Sequence, residues 1–194
     1  MTEAQTAKQS PPSIKLKDPA MAAFLAWLIP GLGHFYQGRV AKAVLYFVCI
    51  MGIFIYGVYL GGNSQFGYGR AVYCSFSQDE WRLPYICQIG MGLPALPACI
   101  QAIRMNNNKK VFLHGFMAPP RRPNATENDP NFDQPNLDTL QLVFNRYFEL
   151  ATVYTMIAGL LNLLAIYDAW SGPVIVPAAK KEEQPNLTEK NPKS

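Results

Sequence analysis

The apolar residues of this chain are concentrated in four blocks separated by polar stretches, and this arrangement constrains its fold more than any other feature. Mean hydropathy over the 194 residues is only +0.01, an average typical of soluble proteins that hides the blocks. A helix that crosses a bilayer needs about 20 mostly apolar residues. The pattern therefore predicts an all-α fold, a small polytopic transmembrane helical bundle with three to four membrane helices.

The four blocks differ in how well each one suits a membrane crossing. Residues 40–61 and 148–170 are long and apolar enough to span. Residues 20–33 are fewer and end in a Pro-Gly turn, so this first helix either spans or re-enters on its own side. Residues 84–103 carry no charge but contain two prolines, which predict a kinked span whose freed carbonyls neighbouring helices satisfy.

The polar stretches complete the predicted organisation of the chain. A capping Asp18 before Pro19 indicates a helix start, and the stretch 137–148 has one apolar and one polar helical face. That stretch is either a helix on the membrane surface or an early start of the last span. The predicted segments are a flexible basic tail (1–19), membrane helices one to three with a tight turn at 30–39 (20–103), a polar and partly disordered loop (104–136), the amphipathic stretch leading into the last membrane helix (137–173) and a disordered tail (174–194).

The most distinctive string of the sequence is WLIPGLGHFYQGR at residues 27–39. Proline ends the preceding helix, glycines permit positive φ and close backbone approach, and the aromatic and basic residues suit the headgroup layer. The string predicts a compact structural turn built from Pro30, Gly31, Gly33, His34, Phe35, Tyr36, Gly38 and Arg39.

This turn resembles the signature of the small two-helix transmembrane domain family, in which a helix ends in Gly-x-Gly-x-His-Arg-Phe-Tyr-x-Gly before a second helix. Here His34 follows Gly33 directly, so one position and the basic residue before the phenylalanine are missing. More closely, the chain resembles a group of bacterial multi-pass integral membrane proteins of unknown function with a PGxGHxYxG turn and a C-terminal helix like residues 154–169. The resemblance implies a membrane location and no particular reaction.

Two polar residues of the last block are candidate membrane sites. Asp168 is either a functional residue, as an ion or proton site or as a partner for Arg39 or Arg104, or a helix-end carboxylate at the interface. The neighbouring Trp170 favours the interfacial interpretation. Asn162 lies deeper in the block, and we expect it to form a hydrogen bond with another helix.

No catalytic, cofactor or metal site emerges from the sequence. It contains no GxSxG, HExxH or Walker motif, and its two histidines, His34 and His114, lie in different segments without a second ligand nearby. The prediction is a protein that is not an enzyme and has no cofactor. Its basic residues flank the apolar blocks, a pattern that suits lipid headgroups and not nucleic acid.

The function that these features favour is a scaffold or assembly component acting through helix packing in the cell membrane, which is the inner membrane where a cell has two. Its partners would be the lipid bilayer and either another membrane protein or further copies of itself. A small channel or transporter component is the alternative, and a membrane enzyme is less favoured because no convergent acid–base set is visible.

Basic residues also suggest an orientation. Placing the 34–42 turn and the loop 104–136 in the cytoplasm puts most lysines and arginines inside, with the loop 62–83 outside. If that loop faces an oxidising compartment, Cys74 can form a disulfide with Cys87, which the chain-entropy model values at about 3 kcal/mol. In a reducing compartment both stay thiols.

We predict that the protein stays in the membrane fraction after washing with carbonate or high salt, because two of its apolar blocks are each long enough to span. Fractionation and immunoblotting measure this directly. Release into the supernatant by salt alone would contradict the membrane assignment.

Overall fold

The computed structural model describes residues 17–75 and 82–172, so the predicted C-terminal tail and nearly all of the N-terminal tail lie outside the described residues. The described residues form seven α-helices and no β-strand, which confirms the all-α class. The helices are α1 (Pro19–Leu28), α2 (Leu32–Tyr36), α3 (Val40–Leu60), α4 (Leu83–Gln88), α5 (Leu96–Asn106), α6 (Leu137–Phe144) and α7 (Arg146–Ser171).

The two long helices, α3 and α7, lie antiparallel and form the frame of the molecule. Gly57 of α3 packs against Thr155, and Gly61 at its end packs against Ala151. Both helices are long and apolar enough to cross a membrane, and only 22% and 39% of their most apolar stretches are buried within the protein. Of the three to four membrane helices predicted, two of this length are present among the described residues. We call the two ends of the frame the Asp168 end and the Gly61 end.

The first apolar block folds back on itself as an N-terminal hairpin made of α1 and α2. It begins as predicted, with Asp18 Oδ1 accepting a hydrogen bond of 3.0 Å from the amide of Ala20. Pro30 follows the end of α1, and Gly31 takes φ +84° before α2 returns. The arms lie so close that a Cβ at Gly33 would collide with the carbonyl oxygen of Ala22. The hairpin thus enters and leaves at the Asp168 end.

The third apolar block also folds back, and the prediction of one kinked span there was wrong. Helix α4 runs into two 3-10 helices, Ile89–Met91 and Leu93–Ala95, before α5 returns to the Gly61 end. Gly92 between them has φ +71°, which reverses the chain. The Tyr85 hydroxyl donates a hydrogen bond of 3.0 Å to the Ala95 carbonyl and joins the two arms. We call residues 83–106 the central hairpin.

The two hairpins enter from opposite ends and meet near the middle of α7. The Asn162 amide donates to the carbonyl of Ala26 at 3.2 Å and to that of Gly90 at 2.9 Å. The indole of Trp27 donates to the Ile89 carbonyl at 3.3 Å. Helix ends leave carbonyls without partners, and the two bonds of Asn162 satisfy one such carbonyl in each hairpin.

Residues 62–75 and 107–136 form a polar lobe at the Gly61 end. The amide of Met117 bonds the Tyr68 carbonyl at 3.3 Å, and Asn131 bonds Lys109 and Val111 at 3.1 and 2.9 Å. The loop 104–136, predicted to be partly disordered, is therefore held by hydrogen bonds from short polar side chains to backbone.

The lobe also corrects the predicted orientation, because the loops 62–83 and 104–136 lie on the same side of the frame as far as they are described. The reason is that residues 83–106 turn back to the Gly61 end, whereas the prediction had them cross to the Asp168 end. Between the lobe and α7, helix α6 is a separate helix, divided from α7 at Asn145 with φ +47°. Of the two interpretations of residues 137–148, the structure has the separate helix.

We predict that Gly159→Ala lowers stability in detergent by about 1–3 kcal/mol, the usual cost of overpacking. A Cβ there would collide with the Cys87 carbonyl oxygen of the central hairpin. The control is Gly52→Ala in α3, where a Cβ meets nothing within 4 Å. Thermal denaturation of both variants measures the difference, and equal melting temperatures would contradict the packing described.

Candidate functional site

The predicted turn and the last turn of α7 come together at the Asp168 end. Asp168 Oδ2 lies 2.8 Å from His34 Nε2, 3.0 Å from Arg39 Nη2 and 3.3 Å from Lys42 Nζ. Three donors from one short stretch of chain thus converge on a single carboxylate oxygen. We call these four residues the Asp168 cluster.

The backbone of the turn explains why these side chains face α7. Gly31 in the left-handed region lets α2 begin at once, which directs His34 toward α7. Gly38, with φ +81°, ends α2 and brings Arg39 to the same carboxylate. Between them, the Gln37 side chain donates a hydrogen bond of 2.6 Å to the Ala169 carbonyl. The turn therefore caps the C-terminus of α7 with donors and positive charge, where the helix dipole favours both.

Burial differs sharply within the Asp168 cluster. His34 is completely buried and its ring packs 4.8 Å from that of Tyr46, whereas the Lys42 side chain is 47% exposed. Burial lowers the pKa of His34, an effect that the hydrogen bond with Asp168 opposes. A neutral imidazole then donates its Nε2 proton to Asp168, while Arg39 and Lys42 together exceed the carboxylate charge by one positive unit.

This arrangement holds two distant parts of the chain together, namely residues 34–42 and the last turn of α7. Asp168 is the sole carboxylate of the cluster, and all three donors already contact it. Within residues 17–75 and 82–172, no three His, Cys, Asp or Glu side chains lie close enough to hold a metal ion.

The remaining residues of the predicted turn are not part of the Asp168 cluster. Pro30 is buried, Phe35 is exposed, and the Lys17 ammonium lies 4.9 Å above the Tyr36 ring. Arg104, one of the two partners considered for Asp168, lies instead at the Gly61 end, where it bonds the Lys110 carbonyl at 2.9 Å.

The sequence analysis did not identify two contributors to this site. Lys42 follows Arg39 at the i+3 spacing that places two side chains on one helical face, which was the available signal. No sequence pattern pointed to Gln37, because the side chain of a glutamine in a turn can bond many different acceptors.

All four cysteines of the chain are free in the structure, so of the two alternatives for Cys74 and Cys87, disulfide or thiols, it has the thiols. The Cys74 thiol is buried in the same apolar cluster as Cys99 of the central hairpin, while the backbone at Cys87 packs against Gly159 of α7. Burial raises the pKa of Cys74 to about 12, so its reactive thiolate form is disfavoured.

Together these features define a small helical protein with two candidate membrane spans, two hairpins packed against them and an ion-pair cluster at one end. The chain belongs to a family of unknown function, DUF6677, whose model matches residues 21–182. That range covers all of the N-terminal hairpin but its first two residues, and the whole central hairpin, polar lobe and Asp168 cluster. No curated protein and no solved structure is detectably similar to the chain.

We predict that Asp168 couples more strongly to His34 than to Lys42. Double-mutant cycles combine Asp168→Asn with a second substitution and give the coupling energy of the pair. With His34→Leu the coupling energy should be about 1.5–3 kcal/mol, as for a buried hydrogen bond to a charged group. With Lys42→Met it should be less than about 1 kcal/mol, as for an exposed ion pair. Chemical denaturation in detergent measures both cycles. Asp138→Asn, at an exposed position of α6, is the control that should change little. Equal coupling energies would show that burial does not control the cluster.

Proposed function

We propose that the chain is a membrane protein in which α3 and α7 cross the bilayer and the two hairpins re-enter it from opposite faces. The observation that carries this proposal is the distribution of exposed side chains along the frame. Helix α3 has 21 residues, a length of about 30 Å that equals the hydrocarbon thickness of a bilayer.

Large apolar side chains are exposed along the middle of both long helices, and aromatic ones are exposed toward the ends. A soluble protein rarely exposes so continuous an apolar surface, whereas lipid tails cover it without cost. Exposed tyrosine and tryptophan at both ends match the aromatic belts of membrane interfaces. The residues along the middle include Val44, Leu45, Phe47, Val48, Ile55, Val153, Ile157, Leu160, Leu163 and Leu164; the exposed tyrosines and tryptophan are Tyr56, Tyr59 and Tyr147 toward the Gly61 end and Tyr167 and Trp170 at the Asp168 end.

The hairpins support the same proposal through their backbone groups. In a bilayer, irregular backbone is tolerated only where protein groups satisfy it. The bonds of Asn162 to Ala26 and Gly90, and of Trp27 to Ile89, supply such groups at the junction of the hairpins. Buried Gln88 likewise donates to the Thr155 hydroxyl at 2.8 Å.

Within the membrane, the role that the geometry supports best is a scaffold or assembly component that holds the polar lobe at one surface. The junction is closely packed, since Gly90 lies against Gly159 and a Cβ at Gly92 would collide with the Trp27 carbonyl. The lobe is fixed to this base through Gln101, which bonds the carbonyls of Phe112 and Phe116 at 2.8 and 3.1 Å. A rigid base under an ordered lobe suits presentation of a surface to a partner.

A second candidate is a small channel or transporter component. Short helices that enter from opposite faces and end near mid-depth are a recurring feature of transporters, whose substrate sites lie where such helices break. The meeting of the two hairpins at Asn162 is the observation that favours it.

We predict the membrane topology from the two crossings. Cysteines introduced at Ser64 and Glu127, both exposed in the lobe, should react with a membrane-impermeant maleimide from the same side. A cysteine at Lys17 should react only from the opposite side. The unsubstituted chain, labelled in parallel, controls for native thiols. Reaction of the Ser64 and Glu127 positions from opposite sides would contradict the returning central hairpin.

Purification in mild detergent followed by reconstitution separates the two roles. A scaffold should co-purify with a membrane-protein partner that depends on the lobe, and liposomes containing the purified chain should stay impermeable to small solutes. Solute flux that is abolished by Asn162→Leu, with the control Leu164→Ala at an exposed position retaining it, would favour the transport role and contradict the scaffold.

A further inference from the structure

The polar lobe contains a cavity that neither the helix frame nor the Asp168 cluster requires. Its volume is about 340 Å³, and polar side chains dominate its lining: Gln65, Arg70, Lys110, His114, Asp133 and Gln134. It lies at the end of the molecule opposite to the Asp168 cluster, and of its lining residues the sequence analysis considered only His114 as a candidate ligand.

Arg70 is the central residue of this cavity and is 1% exposed. Its Nε donates to the Phe66 carbonyl at 2.6 Å, and its Nη2 donates to the His114 carbonyl at 3.2 Å and to Gln134 Oε1 at 2.9 Å. Nη1 is buried and has no hydrogen-bond partner within the described part of the chain. A buried donor of a charged group is costly to leave without a partner, so this nitrogen marks a place for an acceptor.

The backbone around Arg70 is shaped to hold the guanidinium. Gly115 has φ +73°, and a Cβ there would collide with Arg70 Nη2 and approach Gln134 Oε1 at 2.6 Å. His114, whose carbonyl accepts from Arg70, itself takes φ +51°, a conformation that non-glycine residues seldom adopt. The chain therefore curves closely around the arginine, which is one of the residues that line the cavity.

The charges of the lining leave a surplus of positive charge. Lys110 Nζ lies 3.2 Å from Asp133 Oδ2, and the Asp133 carboxylate also attracts Arg70. Burial lowers the pKa of Arg70 to about 10, which leaves the guanidinium charged at neutral pH. Two cations and one carboxylate give the cavity a net charge of one positive unit.

We propose that this cavity binds a small oxyanion, a phosphate or carboxylate group, through Arg70 Nη1 and Lys110 Nζ. Guanidinium and ammonium groups form their strongest hydrogen bonds with such oxygens, and a single anionic group would neutralise the surplus charge. The oxyanion can belong to a free solute or to a lipid headgroup. The site goes beyond the scaffold role, because it depends on the lobe alone and not on how the helices cross a bilayer.

The test uses the full chain purified in a neutral detergent, with inorganic phosphate as the probe. Sodium phosphate, compared with sodium chloride at equal ionic strength, should raise the melting temperature in a saturable way, because a ligand that binds only the folded state stabilises it by mass action. Arg70→Gln should remove the rise.

Arg70 forms hydrogen bonds with three groups of the lobe, so Arg70→Gln could lose the phosphate effect by misfolding. A second variant therefore tests the site without this risk. The Lys110 side chain is 66% exposed, so Lys110→Gln should fold normally and shift the phosphate midpoint to at least fivefold higher concentration. Lys109→Gln, its sequence neighbour outside the cavity lining, is the matched control and should leave the midpoint unchanged. No saturable rise in the parent chain, or an equal shift in both lysine variants, would overturn the proposal.

Nanodiscs distinguish the two sources of the oxyanion. In discs of phosphatidylcholine alone, phosphate should stabilise the chain as it does in detergent. If adding phosphatidylglycerol raises stability and abolishes the phosphate effect in the parent and in Lys109→Gln, the bound group is a lipid headgroup. If the phosphate effect persists, the ligand is a soluble anion. An absence of any phosphate effect in both kinds of disc would overturn the site.

Discussion

The pair of hydrogen bonds from Asn162 to the N-terminal and central hairpins is the interaction on which the rest of the structure depends. Each hairpin ends a helix in the interior, where a carbonyl has no helical partner and water is excluded. One amide on α7 satisfies a carbonyl from each hairpin, so both hairpins are fixed to the frame and to each other at the same depth. The two hairpins, which are short and would bury little surface separately, thereby become part of one core.

Small residues let the two hairpins pack closely enough to reach Asn162, and the Asp168 cluster fixes the C-terminal end of α7. Gly159 lets the central hairpin lie against α7, and Gly33 lets the arms of the N-terminal hairpin touch. At the Asp168 end, His34 and Arg39 bind Asp168 in the last turn of α7. Because Arg39 directly precedes α3, this contact places the start of α3 beside the end of α7. The frame, the N-terminal hairpin and the cluster therefore constrain one another, while the polar lobe is fixed independently through Gln101.

The sequence predicted the parts of this fold that depend on local chemistry. The apolar runs of α3 and α7, the helix start at Asp18 and the break at Pro30 follow from hydrophobicity, capping and proline geometry. The return of the central hairpin was missed, because an uncharged run with two prolines also fits a kinked span, and only the left-handed Gly92 reverses it. Arg39 was one of the two partners considered for Asp168, and the structure has that contact. The contact of His34 with Asp168 and the role of Arg70 depend on which distant segments meet, which local patterns do not encode.

The central claim is that two hairpins from opposite faces meet inside the bilayer, and the depth of their tips tests it most directly. Spin labels at Leu28 and Leu93, which lie beside the junction, would be measured in liposomes by their relative accessibility to oxygen and to a water-soluble nickel complex. The account predicts that both labels lie at similar depth in the hydrocarbon, accessible to oxygen and shielded from nickel. A label at either position that is accessible to nickel from the face opposite its own hairpin's entry would contradict it.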